Sequence, residues 1–435
     1  MYCMQAKDIF RKIILFIITI EAKLILKKYK PKIVAVAGSV GKTSTKDAVY
    51  TALSSTFHTR KSEKSFNSDF GVPLTILGVG NGWYDPMVWI KNILIGLNLL
   101  VFKEKYPEWL VLEIGADRPG DIASLMAWIQ PHISVLTRFP EVPVHVEFFS
   151  SPEELYKEDF LIADALPADG VLVINDDDER QRTYELKSPA STITYGFSQD
   201  AEVRGSGVQF RYTDKQVRGV AFRIRESDHK AEVIELDGSL GVQHAYPVLA
   251  AFAVGKTLAI PFDTLQQAFA TYDPPRGRMR LIKGIKHSII IDDTYNSSPI
   301  AVAHALTALH DVVAKGKKIA ILGDMLELGE YSTEAHKEVG RQVAGVVDEL
   351  YTVGIRARMI ATSAHESGLA TEHIHAFDDA TTCANALEPF LAEGDVVLIK
   401  GSQSIRLEKA VEELMQEPEK KTELLVRQDS AWLDK

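Results

Sequence analysis

Residues 34–46 read VAVAGSVGKTSTK, and this stretch decides how the first half of the chain folds. Four small or branched apolar residues at 34–37 predict a buried parallel strand, because such strands are covered on both faces. Gly38–Gly41 predicts a tight turn, and Lys42 begins a predicted helix that continues through Leu53. A strand, a glycine turn and a helix N-terminus together form an anion site, since backbone N–H groups converge there and the helix dipole adds partial positive charge.

The same stretch has the pattern of a shortened phosphate loop. In such loops the lysine reaches the β- and γ-phosphates and the next hydroxyl ligates Mg²⁺, which assigns these roles to Lys42 and Thr43. The usual pattern has a glycine where this chain has Val36. The alternative is a plain glycine turn with an exposed lysine. The nucleotide-binding prediction also includes the backbone of Gly38, Ser39, Gly41 and Ser44.

The composition is that of a globular protein with more than one domain. A length of 435 residues exceeds what one hydrophobic core usually holds, and 46% hydrophobic with 25% charged residues is ordinary. The net charge of −10 argues against general nucleic-acid binding. Two cysteines, Cys3 and Cys383, cannot form a disulfide framework, which fits a reducing cytoplasm. We therefore expect a cytoplasmic protein with no nucleic-acid partner.

An apolar run, Ile13–Ile20, lies within a predicted helix over about residues 6–29. The run is too short to span a bilayer, which needs about 20 apolar residues, and no signal-peptide cleavage site follows it. The apolar side of the helix therefore packs either on the body of the protein or on a membrane surface, through residues 8–28. A lysine cluster suits anionic lipid and comprises Lys27, Lys28, Lys30 and Lys32.

From residue 31 the chain alternates between strand and helix patterns. Apolar runs that end in polar residues or glycine predict a parallel, doubly wound sheet and lie at 108–115, 132–138 and 170–175. Alternating segments predict attached antiparallel strands at 208–212, 220–224 and 231–236. Residues 242–258 predict an alanine-rich helix, and the proline- and glycine-containing stretch 272–277 marks a domain boundary.

Beyond that boundary the alternation restarts. The predicted strands lie at 288–292, 318–323, 349–353 and 395–400. The predicted helices lie at 301–313 and 333–350. This pattern is typical of a second, Rossmann-like sheet. The charged, weakly periodic end of the chain predicts a frayed helix or tail.

The expected fold class is therefore α/β, with two sheet domains and a short apolar helix before them. The central domain has a phosphate loop on a mostly parallel sheet, and the C-terminal domain is Rossmann-like. The predicted segments are the helix at 1–30, the central domain at 31–273, the C-terminal domain at 274–415 and the charged tail at 416–435.

Two residues near the predicted strand ends are candidate metal ligands. Glu113 lies at the C-terminal end of its strand, where ligands bind in open α/β sheets, and His145 lies in the irregular stretch after the next strand. Chemistry that uses ATP needs Mg²⁺ held by such groups. Taken alone, a glutamate at a strand end is usually solvated and a histidine in a loop is more often a surface residue than a ligand. Their order after a phosphate loop raises the case for metal binding in both.

Seven stretches of the chain resemble the Mur ligases, cytoplasmic ATP-dependent amide-forming enzymes of peptidoglycan synthesis, and most of all the branch that adds D-alanyl-D-alanine. These stretches are AGSVGKTSTK at 37–46, NSDFGVPLTIL at 67–77, LEIGADRPGDI at 112–122, HVEFFSS at 145–151, DDTYNSSP at 292–299, GDMLELG at 323–329 and KGSQSIRLE at 400–408. The resemblance covers about residues 31–415. It implies ATP and Mg²⁺ as cofactors, and a muramyl peptide and D-Ala-D-Ala as small-molecule substrates.

The resemblance also implies roles for individual residues. Thr43, Glu113 and His145 would ligate the metal, and Arg278 would reach the γ-phosphate from a hinge at 274–278. The candidate catalytic residues are Lys42, His145, Arg278 and Asp159. The residues expected on the adenosine side are Asp292, Asp293, Tyr295 and Asn296. The residues expected to face substrate are Asn67, Lys400 and Ser402, the last two toward the incoming amine.

Three departures from the family pattern affect the substrate and the metal. Only about 30 residues precede the first strand, where the family has a domain that grips a UDP-sugar. A lipid-linked muropeptide, a partner subunit or the absence of nucleotide recognition would each account for this. Asp159 lies where many members carry a carbamylated lysine, and its carboxylate is expected to replace that group on a shorter arm. Where the family has a His-Asn segment, this chain has the sequence His244-Ala245-Tyr246-Pro247, without the asparagine.

Three functions therefore remain open at this point. The first is a ligase that adds D-Ala-D-Ala to a muramyl peptide through an acyl phosphate. The second is a related ligase for a lipid-linked or polyglutamyl substrate. The third is a module that binds ATP without catalysis.

Overall fold

The computed structural model describes residues 2–83, 85–143, 145–185, 190–214, 216–226, 229–429 and 432. Its strands are β1 Lys32–Ala37, β2 Thr59–Lys61, β3 Trp109–Glu113, β4 Ile133–Leu136, β5 Val171–Asn175, β6 Ser191–Gly196, β7 Val203–Thr213, β8 Gln216–Glu226, β9 Glu232–Asp237, β10 Arg280–Lys283, β11 Ile289–Asp293, β12 Lys318–Gly323, β13 Glu349–Val353, β14 Ile374–Phe377 and β15 Val396–Lys400. Its helices are α1 Tyr2–Tyr29, α2 Lys42–Ser54, α3 Gly71–Leu77, α4 Pro86–Val101, α5 Asp121–Met126, α6 Pro152–Asp164, α7 Glu179–Glu185, α8 Ala245–Thr257, α9 Phe262–Phe269, α10 Pro299–Asp311, α11 Ser332–Val343, α12 Arg358–Glu366, α13 Ala380–Leu387, α14 Glu408–Leu414 and α15 Lys421–Leu424.

The first sheet has the strand order β2-β3-β1-β4-β5-β6-β7-β8-β9. Strands β1 to β7 run parallel, and β8 and β9 extend the sheet antiparallel. Strand β1 lies between β3 and β4, and its apolar side chains enter the hydrophobic cores on both faces of the sheet. The α/β class and the parallel sheet are therefore confirmed, because a strand that is buried on both faces needs a continuous apolar run.

The second sheet has the order β10-β11-β15-β12-β13-β14, with β10 antiparallel to its neighbour and the other strands parallel. The loops after β11, β12 and β15 therefore leave from one edge of this sheet. The helix predicted at 333–350 ends at Val343, since β13 begins at Glu349. The two sheets separate between Asp237 and Arg280, and the exact boundary at 273/274 stays a prediction.

The N-terminal helix α1 packs on α3 and α4. Its buried side chains recur at helical spacing and are Ile14, Ile18, Ala22 and Ile25. Packing on the body of the protein is therefore confirmed for one face of α1. The sequence prediction did not include α4. No helix in the described ranges combines the length and the apolar content needed to cross a membrane.

The charged C-terminal segment packs against the second domain. Leu425 and Arg427 are buried, and Arg427 donates hydrogen bonds to the carbonyls of Thr294 and Tyr295. Arg427 also lies 3.0 Å from the buried carboxylate of Glu408. The expectation of a frayed tail is thus wrong for residues 416–429. Residues 430, 431 and 433–435 of the predicted tail lie outside the described part of the chain, as does residue 1 of the predicted N-terminal helix.

Candidate active site

The turn between β1 and α2 has the geometry of an anion-binding loop. Gly38 and Gly41 have φ angles of +123° and +94°, a region that favours glycine. A Cβ on Gly38 would lie 2.4 Å from Thr137 Oγ1, so glycine also permits the close approach of the segment after β4. Residue 41 is the N-cap of α2 and has no side-chain cap, which leaves the first N–H groups of the helix directed at the turn.

This turn opens into a cavity of about 530 Å³ between the two domains. The central domain contributes predicted site residues Gly38, Ser39, Gly41, Lys42, Thr43, Asn67, Glu113, His145 and Asp159. The C-terminal domain contributes predicted site residues Arg278, Tyr295, Asn296 and Ser402. The structure therefore brings together residues that are separated by more than 350 positions in the sequence. The cavity lining does not include Ser44, Asp292, Asp293 or Lys400.

Glu113 is a buried carboxylate next to the loop. Its Oε1 accepts hydrogen bonds from Thr43 Oγ1 at 3.0 Å and from Ser65 Oγ at 2.5 Å. Its Oε2 lies 3.8 Å from Lys46 Nζ and has no hydrogen-bond partner among the described residues. A buried carboxylate oxygen with a free lone pair beside a phosphate loop fits a divalent cation. The sequence analysis assigned no role to Ser65, which lies outside the loop motif, or to Lys46, which is the last residue of that stretch.

Asp159 on α6 lies on the same side of the cavity as the loop. Its side chain is buried, and Oδ2 has no hydrogen-bond partner in the described part of the chain. Burial raises the pKa of this carboxyl to about 6, and the nearby Lys42 and a hydrogen bond from the Gly38 backbone act against that rise. This unpartnered oxygen suits a second contact to a metal ion. The replacement of a carbamylated lysine by Asp159 stays a prediction.

His145 contacts carboxylates other than Glu113. Its Nδ1 lies 2.7 Å from Glu327 Oε2, and its Nε2 lies 3.7 Å from Asp117 Oδ1. The hydrogen bond from His145 lowers the pKa of Glu327, which follows β12 in the C-terminal domain. His145 thus links the two domains across the cavity. No group of three His, Cys, Asp or Glu side chains in the described residues has metal-holding geometry, so an ion here needs phosphate or water oxygens as well.

The cationic groups of the cavity come from both domains. Lys42 Nζ lies 2.5 Å from the carbonyl of Gly38 and so folds back on its own loop. Arg278 stacks on the ring of Tyr295 at 4.1 Å, and its buried Nε has no partner among the described residues. Two cations that converge on one cavity favour a polyanionic ligand.

Asn67 and Trp432 also line the cavity. Asn67 packs over Gly115, where a Cβ would lie 2.7 Å from the Asn67 amide nitrogen. Trp432 lies in the C-terminal segment, where its backbone carbonyl accepts a hydrogen bond from Arg406. The sequence analysis missed Trp432 because the charge pattern after residue 416 predicts a solvated tail.

Lys400 and the two aspartates at the end of β11 lie outside the cavity lining. Lys400 is buried and lies 2.7 Å from Asp293 Oδ2, with a further hydrogen bond to the Asn296 carbonyl. Asp292 accepts hydrogen bonds from the N–H and hydroxyl of Thr294. These side chains therefore hold the loop that presents Tyr295 and Asn296, and none of them lines the cavity, so their contacts with adenosine and with the amine stay predictions. Register explains the pairing, because Asp293 and Lys400 are direct neighbours across β11 and β15.

Ser44 is also absent from the cavity wall. Its side chain is buried in the first turn of α2, and its carbonyl lies 3.5 Å from the hydroxyl of Tyr272. The contribution predicted for Ser44 is therefore limited to its backbone N–H at the helix N-terminus.

Two family models match most of the chain. The model described as "Mur ligase middle domain" matches residues 36–255, and the model described as "Mur ligase, glutamate ligase domain" matches residues 277–403. The chain belongs to the Mur ligase family. The first match contains the phosphate loop, Glu113, His145 and Asp159, and the second contains Arg278 and the loops after β11, β12 and β15. The cavity lies where these two Mur ligase domains meet.

Similar Mur ligases share the overall architecture. A UDP-N-acetylmuramoyl-tripeptide–D-alanyl-D-alanine ligase of Bacillus subtilis is 26% identical over 91% of this chain and 79% of its own length. The enzyme of the same name from Escherichia coli is 26% identical over 88% of this chain and 77% of its own length. The crystal structure of MurF ligase from Thermotoga maritima in complex with ADP has a TM-score of 0.74 and 25% identity, and it covers 94% of this chain and 84% of the other.

Replacing Asp159 with asparagine is expected to change stability in a pH-dependent way. Because the pKa of Asp159 is raised to about 6, the folded state binds its proton more tightly than the unfolded state, and stability falls as pH rises from about 4 to 6. At pH 8, Asp159→Asn should be more stable than the parent by about 3 kcal/mol, since one pKa unit corresponds to about 1.4 kcal/mol. The difference should vanish below about pH 3, where the carboxyl is protonated in both states. Urea unfolding at both pH values measures it.

A matched control for Asp159→Asn is Glu153→Gln, which makes the same carboxylate-to-amide change at an exposed position of α6. This control should show no pH-dependent gain. If Asp159 also contacts Mg²⁺, Asp159→Asn should raise the Mg²⁺ concentration that turnover requires. An unchanged Mg²⁺ dependence would remove Asp159 from the metal site.

Proposed function

We propose that this chain is an ATP- and Mg²⁺-dependent ligase that joins D-alanyl-D-alanine to the carboxylate of a muramyl tripeptide. The observation that carries the proposal is one cavity in which Lys42 and Thr43 of the phosphate loop lie across from Arg278 of the other domain. The names of the relatives supply the two substrates, and the ADP in the Thermotoga structure supports the nucleotide.

The proposed reaction proceeds in two steps. A carboxylate oxygen of the muramyl tripeptide attacks the γ-phosphorus of ATP, the bond to ADP breaks, and an acyl phosphate forms. The amino nitrogen of the dipeptide then attacks the acyl carbon, phosphate leaves with the bonding electron pair, and the nitrogen loses a proton to give the amide. Two anions must meet in the first step, and Lys42 and Arg278 reduce their repulsion.

The metal site is formed by groups of the central domain. When bound, Mg²⁺ supplies charge neutralisation on the phosphate oxygens. Thr43, Glu113 and Asp159 offer the oxygen atoms that suit this ion, and one oxygen of each carboxylate has no hydrogen-bond partner among the described residues. The contact between His145 and Glu327 keeps the two domains together over the cavity, which protects an acyl phosphate from water.

The lipid-linked acceptor remains the second candidate. One observation favours it: the Arg11 guanidinium of α1 lies 5.1 Å from the ring of Phe70, on the same segment as the cavity residue Asn67. Helix α1 therefore contacts the segment that contributes Asn67 to the cavity. A partner subunit that supplies a UDP-binding surface stays a prediction. We also propose a cytoplasmic location, in keeping with a free, buried Cys383.

The test of this function combines the purified protein with ATP, Mg²⁺ and D-Ala-D-Ala, and varies the acceptor. The expected result is release of phosphate together with a product whose mass is that of UDP-linked muramyl tripeptide plus the dipeptide minus water. Turnover only with a lipid-linked muropeptide or a polyglutamyl acceptor would replace the proposed acceptor. Nucleotide binding without product on any acceptor would make the chain a non-catalytic module.

A further inference from the structure

Helix α1 has an apolar stripe on its exposed side. Five large apolar side chains of this stripe are between 41% and 67% exposed: Ile9, Ile13, Phe16, Ile20 and Leu24. Their spacing of three or four residues places them on one face, opposite the face that packs on α3 and α4. Single exposed apolar residues are common on protein surfaces, but a stripe of five at helical spacing needs a partner.

Helix α4 carries a second stripe of the same kind. Its five apolar side chains are between 46% and 71% exposed and again recur every three or four residues: Met87, Ile90, Leu94, Leu97 and Val101. The opposite face of α4 is buried through Trp89, Asn92, Gly96 and Leu99. Both helices thus bury one side on the protein and expose an apolar side.

The two helices lie side by side and run in the same direction. Near their N-terminal ends, the Phe70 ring contacts both Arg11 of α1 and Trp89 of α4. In the middle, a Cβ on Gly96 would lie 2.3 Å from the Glu21 carboxylate. At their C-terminal ends, Lys28 Nζ donates to the carbonyls of Leu99 and Leu100, at 2.8 and 3.0 Å. The two helices are therefore neighbours along most of their length, and we call their two exposed apolar stripes together the α1–α4 surface.

Positive charge is concentrated on the helix α1 part of this surface. Residues 9–30 contain six basic side chains, Arg11, Lys12, Lys23, Lys27, Lys28 and Lys30, and one acidic side chain, the buried Glu21. This local excess contrasts with the net charge of −10 of the whole chain. A basic helix with an exposed apolar face is typical of helices that lie in the interface of an anionic membrane. Pairing of two copies through this surface would bring the lysines of both copies together, which opposes self-association.

We propose that the α1–α4 surface docks the protein on an anionic lipid bilayer. The two helices lie parallel to the membrane plane, with the ten apolar side chains in the region between headgroups and acyl chains and with Lys12, Lys27 and Lys30 at the phosphates. This binding does not depend on the proposed enzymatic function, since it involves neither the cavity nor its ligands.

Vesicle sedimentation tests the proposal with the full chain. The parent protein should sediment with vesicles of phosphatidylcholine and phosphatidylglycerol, and much less with phosphatidylcholine alone or at high salt. The variant Phe16→Gln/Leu94→Gln should lower the partition coefficient at least about tenfold, because it replaces two apolar side chains that enter the bilayer with polar ones. The matched control is Phe390→Gln/Ile355→Gln, which changes one phenylalanine and one aliphatic residue that are 73% and 78% exposed elsewhere. It should bind like the parent.

Three results would overturn the proposal. The first is a parent protein that stays in the supernatant with both kinds of vesicle. The second is an equal loss of binding in the two double variants, which would show that the α1–α4 surface is not specific. The third is a concentration-dependent dimer that Phe16→Gln/Leu94→Gln dissociates while vesicle binding is absent, since the surface would then join two copies. Circular dichroism identical to the parent confirms that the variants fold.

Discussion

Lys42→Ala is expected to lower the turnover number at least about a thousandfold. A positioned cation that stabilises developing charge in a water-excluded site contributes about 10²- to 10³-fold or more to rate, and this lysine is the cationic side chain of the phosphate loop itself. Its Nζ now rests 2.5 Å from the Gly38 carbonyl, so it must turn toward the γ-phosphate when nucleotide binds. Phosphate release with saturating substrates measures the effect.

The matched control for this experiment is Lys337→Ala, at an exposed position of α11 far from the loop in sequence. It should leave turnover unchanged. Lys42→Arg should remain severely impaired, because a planar guanidinium cannot place its charge where the compact ammonium group does. Near-normal activity in Lys42→Ala would mean that this turn does not bind the transferred phosphate.

Lys400→Met is expected to destabilise the C-terminal domain by about 3–5 kcal/mol, the usual cost of removing one partner from a buried ion pair. The side chains of Lys400 and Asp293 are 2% and 9% exposed and their charged atoms lie 2.7 Å apart. Without the lysine, Asp293 keeps a hydrogen bond from the Met279 N–H but loses its counter-ion. Urea unfolding, together with hydrogen exchange in β11 and β15, locates and measures the loss.

Two comparisons separate this stability effect from a direct role in catalysis. Adding Asp293→Asn to Lys400→Met should recover much of the lost stability, because the unpaired charge is removed. Lys317→Met should cost less than about 1 kcal/mol, since the Lys317–Glu349 pair is exposed on the lysine side. Undiminished stability of Lys400→Met with lost amine selectivity would instead support the original prediction that Lys400 faces the substrate.

Much of the fold was predictable because local patterns and tertiary packing agree. The run at 34–37, the glycine turn and the start of α2 at Lys42 follow from residue type alone, and β12 and β13 have the predicted bounds. The site was predictable where a residue belongs to a motif, as Lys42, Thr43 and Glu113 do. Helix α4 and residue Trp432 were not, because no motif marks them and their positions depend on contacts with distant segments.

The buried pair of Asp293 and Lys400 shows what local sequence patterns cannot predict. Asp293 and Lys400 are 107 positions apart, and each alone has the pattern of a polar residue at a strand end, where ligands usually bind. Only the register of β11 with β15 places one beside the other. Because the two charged groups neutralise each other, neither of them contributes a net charge to the cavity.

The sequence by itself determined the α/β class, the phosphate loop and its helix, and the family resemblance, because hydrophobic period and glycine placement act over a few residues. The tertiary structure decided which polar strand ends face the cavity and which pair with each other. It also decided that α1 and α4 lie side by side with exposed apolar stripes, and that the C-terminal segment packs rather than frays. The physical reason is that burial, and with it the partner of each charge, is set by residues far apart in the chain.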